Sequence, residues 1–183
     1  TATEQTVSSK VIKNFYKLIK RRFNHEPLAY IFNEREFWSK NFFVNINTLI
    51  PRPETELLVE RLSKYFKNKK ISILDIGTGS GCIILALLEE LKNSYGTGID
   101  ISKKAIKIAL KNSNLLNLSH RSKFYNRSLD QIYTRKFDLI VSNPPYICSH
   151  KIKNLSEDIK RFEPRIALDG GNDGLDVIKK VIY

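Results

Sequence analysis

The sequence predicts an α/β fold, a mostly parallel sheet with helices on both faces, and three observations predict it. The run Ile71-Ser72-Ile73-Leu74-Asp75-Ile76 ends in Gly77-Thr78-Gly79-Ser80-Gly81 and opens into the apolar helical pattern Cys82-Ile83-Ile84-Leu85-Ala86-Leu87-Leu88. A second strand pattern, Gly96-Thr97-Gly98-Ile99-Asp100, ends in an acid 19 residues beyond Gly81. Strand and helix patterns then alternate up to a fourth strand at 137–142, as parallel pairing with right-handed crossovers requires.

The elements follow in order. Residues 7–23 place Val7, Val11, Ile12, Phe15, Leu18 and Ile19 at helical spacing, and Arg21-Arg22 stand ahead of Pro27 as a stop. Arg35-Glu36-Phe37-Trp38 and Phe42-Phe43-Val44-Asn45-Ile46 read as a hairpin around Ser39-Lys40-Asn41, with Trp38 and the phenylalanines in the core. A helix starts near Pro53, where proline and the acids Glu54 and Glu56 suit a first turn. Strand one covers 71–76, its helix 80–92 and strand two 95–101. The helix from Ser102 is expected to bury Ala105, Ile106, Ala109 and Leu110. Strand three lies at 122–127. After Tyr146 the chain reads as loop to Leu168, then a turn at 169–174 and a helix over 175–182.

Two bends carry the chemistry. In the first, glycines let the backbone turn sharply and approach a ligand where a Cβ would collide. A nucleotide-type cofactor suits that turn and the helix start. Asp100 would accept both ribose hydroxyls, a charge-assisted contact of about 1.5–3 kcal/mol. A dinucleotide fingerprint would want its third glycine where Cys82 stands. The second bend is Asn143-Pro144-Pro145-Tyr146, closing strand four. Taken alone it is equally a proline-rich turn. After a strand, however, it offers carbonyl acceptors, an amide and an aromatic face around a small cavity, which suits a planar –NH₂ group. Hydride transfer has no use for such a set, so the two bends together point to S-adenosylmethionine-dependent N-methyl transfer. Both bends are expected to open onto one pocket.

Bulk properties bound the rest. The 183 residues, 42% hydrophobic and 27% charged, suit one α/β domain. No apolar run approaches the roughly 18–20 residues of a membrane span, and Thr1–Thr6 lacks a signal-peptide layout, so a cytoplasmic protein is expected. Cys82 and Cys148 have neither metal-ligand nor redox spacing, His25, His120 and His150 form no cluster, and no metal is expected. A net charge of +12 suggests acidic partners, although scattered lysines are equally a solvated surface. The sequence contains no methionine, and a parallel sheet ending beside strand four would leave a long apolar edge. A trimmed version of a longer product, with its last strands beyond residue 183, is the expectation.

Five blocks carry a resemblance: residues 26–31 with 35–38, Leu49-Ile50-Pro51-Arg52-Pro53-Glu54-Thr55-Glu56, the glycine loop, residues 140–147, and Phe162-Glu163-Pro164-Arg165-Ile166-Ala167-Leu168 with Gly170-Gly171 and Asp173-Gly174-Leu175. On these the chain resembles the protein-(glutamine-N5) methyltransferases that modify the Gly-Gly-Gln loop of peptide chain release factors. The resemblance implies a seven-stranded class I methyltransferase (Rossmann-like) fold preceded by a small helical substrate-recognition domain. Its tail would be 1–30, followed by a hairpin linker at 31–52 and the methyltransferase domain at 53–183. It also implies that Gly77, Thr78, Gly79, Ser80, Gly81, Asp100, Leu129 and Asn143 hold S-adenosylmethionine. Asn143, Pro144, Pro145 and Tyr146 would hold the glutamine, with Asn143, Pro144 and Tyr146 at the reaction centre. The family usually has an acid near the adenine, where this chain has Ser128-Leu129 with Asp130 just beyond. Release factors are the implied partner, to a monomer, with direct nucleic-acid binding possible but not required. Two rivals remain: methyl transfer to adenine N6, guanine N2 or a ribosomal-protein glutamine, and a non-catalytic binding module.

Overall fold

The structure, a computed structural model, describes residues 7–131 and 136–182; of the segment 1–30, residues 1–6 lie outside the described residues. The chain opens with α1 (Ser9–Phe23), whose last turn carries Lys20, Arg21 and Arg22 at the negative end of the helix dipole. No residue of α1 is buried, so the apolar stripe from Val11 to Ile19 faces outward. Arg21 ties α1 to α2 (Leu28–Phe32) by pairing with Glu26 and donating to the Tyr30 and Ile31 carbonyls at 3.3 Å.

Strands β1 (Glu34–Phe37) and β2 (Lys40–Phe43) form the expected hairpin, but Phe37 pairs with Lys40 and the turn is Trp38-Ser39 alone. Both turn residues are left-handed, at φ 52° and 53°. A tryptophan disfavours that conformation. It is held there by Glu56, which accepts its backbone N–H at 3.0 Å, and by Glu90, which accepts the indole N–H at 2.8 Å. Phe37 and Phe42 are buried as expected. Pro53 opens a 3-10 turn (Pro53–Thr55) leading into α3 (Glu56–Tyr65).

The alternation then runs β3 (Ser72–Ile76), α4 (Cys82–Glu90), β4 (Tyr95–Asp100), α5 (Lys103–Leu115), β5 (Ser122–Asn126) and β6 (Leu139–Ser142). The four strands from β3 to β6 are all parallel, in the order β5-β4-β3-β6. Ile73, Phe124 and Val141 share one face and form the main core with Val59 of α3, the buried run 83–88 of α4, and Ile106 and Ala109 of α5. Leu110, expected in that core, is 44% exposed because it falls on the outer side of α5. On the opposite face Leu74, Ile76 and Ile99 meet Leu129, Phe137 and Val181.

Residues 149–167 are not loop, as the sequence reading had them. They hold a 3-10 helix (Ser149–Asn154), α6 (Glu157–Phe162) and a second 3-10 turn (Arg165–Ala167), before α7 (Asp176–Ile182). α6 has six residues, with acids in its first turn and cations in its last. That is too short for a 3.6-residue apolar period to repeat.

Asn112 joins hairpin, helix and glycine loop. Buried on α5, it accepts the Phe43 N–H at 2.7 Å and donates to the Phe43 and Ser80 carbonyls at 3.0 and 2.8 Å. Asn112→Ala strands one buried and two partly buried backbone groups and should cost about 2–3 kcal/mol in urea unfolding. A change below about 0.5 kcal/mol would show that Asn112 does not bind these parts together.

Candidate active site

Parallel pairing of Ile76 with Ser142 sets the site. The residues that follow, Gly77 and Asn143, leave the carboxyl ends of neighbouring strands, which run about 4.8 Å apart. The Ser142 hydroxyl holds the pairing by donating to the Ile76 carbonyl at 2.9 Å. The chain passes from β3 to β4 on one side and returns to β6 on the other, so these bends flank a topological switch point, where open α/β sheets bind ligands. As expected from the sequence, both bends open onto one cavity, of about 660 Å³.

On the glycine side, Gly77, Thr78, Gly79, Ser80 and Asp100 line the cavity. Gly77 and Gly79 have φ of 69° and 56°, and a Cβ on Gly77 would meet no atom within 4 Å. The floor of the cavity is therefore free backbone, a cradle that a side chain would fill. Gly81 does not line the cavity: a Cβ there would lie 3.1 Å from the Leu85 side chain and 3.3 Å from Ala109, so it serves helix packing. Asp100 accepts the Gly79 N–H at 2.9 Å on one oxygen and the Ser102 N–H at 2.8 Å on the other. Each oxygen keeps a lone pair for a further donor. Burial raises the Asp100 carboxyl above its ordinary range, against those two hydrogen bonds. Leu129, Asp130, Ile101 and Val181 complete this wall. A carboxylate with acceptor capacity to spare, over a bare glycine floor with an apolar slot beside it, fits a nucleoside.

On the other side Asn143 and Pro145 line the cavity, whereas Pro144 and Tyr146 do not; the Tyr146 side chain is 63% exposed. Among the described residues the Asn143 amide makes no hydrogen bond, which leaves its donor and acceptor available. The turn itself is bolted down from outside. Ile147 bridges Asp169 through its N–H to Leu168 at 3.0 Å and its carbonyl to Gly170 at 2.9 Å. Asp169 accepts from the Ser149 hydroxyl at 2.5 Å and from Arg165 at 3.1 Å. A Cβ on Gly170 would lie 2.5 Å from the Gly174 carbonyl and 2.8 Å from that of Pro145.

Sequence reasoning gave no site role to three further residues, although all three stand in the motifs it picked out. Glu163, buried, pairs with Arg52 at 2.6 Å and accepts the Ile50 N–H at 3.3 Å, joining the Pro-Arg-Pro and Phe-Glu-Pro segments across 111 positions. Burial raises its carboxyl and Arg52 pulls it back. Asp75, fully buried, accepts the Thr78 hydroxyl at 2.6 Å, while its other oxygen has no partner among the described residues. The acid that opens the glycine motif was the signal for it. Cys82 packs against the core at the edge of the cavity, and burial raises its thiol to about 12, which keeps it protonated near neutral pH.

The sequence matches the methyltransferase small domain family over residues 53–162. The chain belongs to this family. Among its relatives is the release factor glutamine methyltransferase of Bradyrhizobium diazoefficiens, 45% identical over 167 residues, covering 89% of this chain and 56% of the relative. The release factor glutamine methyltransferase of Buchnera aphidicola subsp. Acyrthosiphon pisum is 43% identical over 182 residues, covering 100% and 65%. A bifunctional methyltransferase of Rickettsia prowazekii is 40% identical, covering 94% and 37%. The chain thus spans a little over half the length of the first of these relatives. The hMettl16 catalytic domain, solved in complex with the MAT2A 3'UTR hairpin 6, shares the fold at a TM-score of 0.66 and 19% identity, over 85% of this chain and 59% of that one. The resemblance drawn from the sequence blocks is therefore borne out, and so is the Rossmann-like methyltransferase fold.

In this methyltransferase small domain protein, burial lifts Asp75 from 3.8 to about 7 against the Thr78 hydrogen bond. The folded chain holds a proton there that the unfolded chain loses above about pH 4. Raising the pH from about 4 to 7 therefore lowers the contribution of this group to stability, and the loss is complete above pH 7. Asp75→Asn should remove that slope, so stability of the variant relative to the parent rises by up to about 4 kcal/mol across the window. Thermal melts at both ends test it; a constant difference would contradict it.

Proposed function

We propose that this chain carries the catalytic domain of a protein-(glutamine-N5) methyltransferase acting on the Gly-Gly-Gln loop of peptide chain release factors, with S-adenosylmethionine as donor. The carrying observation is that Gly77 and Asn143 leave paired strands side by side into one cavity. The names of the relatives supply the substrate class. The donor supplies a methyl group on a positively charged sulfur, which needs no further activation. In this reading Asp100 receives the ribose hydroxyls and Leu129 walls the adenine in place of an acid. Thr78, Ser80 and the two cavity glycines carry the remainder of the donor, Gly81 keeping the loop against α4 and α5.

Asn143 then orients the glutamine amide, since its own amide cannot act as a base near neutral pH. The Pro144 carbonyl accepts an amide N–H, Pro145 lines the entrance, and the exposed Tyr146 ring packs on the glutamine plane as the loop arrives. Orientation of this kind can supply roughly 7–11 kcal/mol of barrier lowering. Acceptors placed where the nitrogen gains positive charge add to it. The same reading makes 1–30 a recognition tail and 31–52 a linker ahead of the domain at 53–183, in a monomeric cytoplasmic protein. No helix among the described residues is long and apolar enough to cross a membrane.

A second reading, methyl transfer to an adenine or guanine amino group, is favoured only by the net charge of +12. Labelled donor offered separately to release factor, ribosomes and DNA separates the two. Label on the release-factor glutamine, located by peptide mass, is expected; label on nucleic acid alone would reject the proposal. Asn143→Ala should collapse turnover while donor affinity stays near the parental value, and parental turnover would remove the assigned role. Asp100→Ala should instead weaken donor binding by about 1.5–3 kcal/mol in calorimetry, and unchanged affinity would reject the ribose contact.

A further inference from the structure

Charge is segregated along this chain. From Ser102 to Leu129 there is no acidic residue, while Lys103, Lys104, Lys107, Lys111, Arg121, Lys123 and Arg127 all fall there. The four lysines lie on α5, all exposed. At about 100° per residue they share roughly 100° of helix surface, and Lys103, Lys107 and Lys111 repeat at about 6 Å along the axis. Three other helices each pair a lysine with an acid: Lys64 with Glu60 on α3, Lys160 with Glu157 on α6, and Lys179 of α7 with Asp173. α1 resembles α5 in carrying lysines and no acid, but its lysines stand beside an exposed apolar stripe. None of the α5 lysines has a carboxylate partner among the described residues, and Lys111 instead sits 3.2 Å over the Phe43 ring.

Helix stability does not explain this pattern. Lys103 and Lys104 occupy the first turn of α5, where the positive end of the dipole disfavours cations. Nor do the lysines stand beside an exposed apolar stripe as those of α1 do, because Ala105, Ile106, Ile108 and Ala109 of α5 are buried and only Leu110 stands out among the lysines. We propose that the outer face of α5 binds the phosphate backbone of a nucleic-acid strand. A polymer with evenly repeated negative charge matches a row of evenly repeated cations. Lysine meets phosphate as a point charge, whereas paired recognition of carboxylates favours arginine. Ser102 and Ala105, at the start of this helix, line the cavity, so a bound strand would run away from the cavity mouth.

The test is fluorescence anisotropy of the 183-residue chain with a labelled single-stranded RNA of about 16 nucleotides. The parent should bind with affinity falling on added salt at a log–log slope near −2, about 0.7 for each of three phosphates. K103Q/K104Q/K107Q, which leaves the Lys111 contact with Phe43 in place, should weaken binding at least about tenfold and flatten the slope, with the melting temperature kept. The charge-matched control K67Q/K69Q/K70Q, on exposed lysines ahead of β3, should weaken it less than about threefold. Equal loss in both variants would reduce the effect to net charge and overturn the proposal. Absence of binding by the parent would also overturn it. Displacement of the RNA by polyglutamate at matched charge would overturn it in favour of an acidic protein partner.

Discussion

Everything at the candidate site depends on the register between β3 and β6. A slip of one residue would turn every β6 side chain to the other face of the sheet and carry Asn143 away from Gly77. Both ends of the pairing are pinned by side chains. At the start the Asp138 carboxylate accepts the Ser72 N–H at 2.8 Å and the Ser72 hydroxyl at 2.7 Å, while the Asp138 N–H returns to the Ser72 carbonyl at 3.0 Å. Those donors hold the Asp138 carboxyl below its usual range. At the end the Ser142 hydroxyl closes on Ile76. With register fixed, the backbone alone decides which two bends face one another.

A second layer keeps the bends rigid without touching a ligand. The glycine loop rests on Asn112 and on close helix contacts at Gly81. The Asn143 turn rests on the segment 165–176, through Asp169, Gly170 and Gly174. Just ahead of that segment, the buried Glu163 bonds to Ile50 and Arg52. Glu163 is buried while Arg52 is 34% exposed, so the pair adds little net stability, and removing Arg52 is the costlier change because it leaves the buried carboxylate uncompensated. Arg52 and Glu163 therefore act as a brace, tying residues 50–52 to the cavity wall at Pro164 and Arg165.

Much of this was legible in the sequence, for physical reasons. The βα alternation, the glycine bend, Asp100 and the shared cavity follow from local patterns that packing reinforces. What escaped was either short, displaced or distant. α6 and the two 3-10 segments are too brief to show periodicity. The hairpin turn fell on Trp38-Ser39, not on the usual turn residues, because Glu56 and Glu90 hold Trp38 from outside. The Arg52–Glu163 pair spans most of the chain, so only the co-occurrence of two unusual segments hinted at it. On α1 the periodicity correctly gave a helix, yet it could not say that the apolar stripe faces outward.

The most direct test is a crystal structure of this chain with S-adenosylhomocysteine. The account predicts the ribose hydroxyls on Asp100 and the sulfur turned toward the Asn143 amide across the mouth of the same cavity. A ligand seated elsewhere, or one whose sulfur faces away from Asn143, would contradict it.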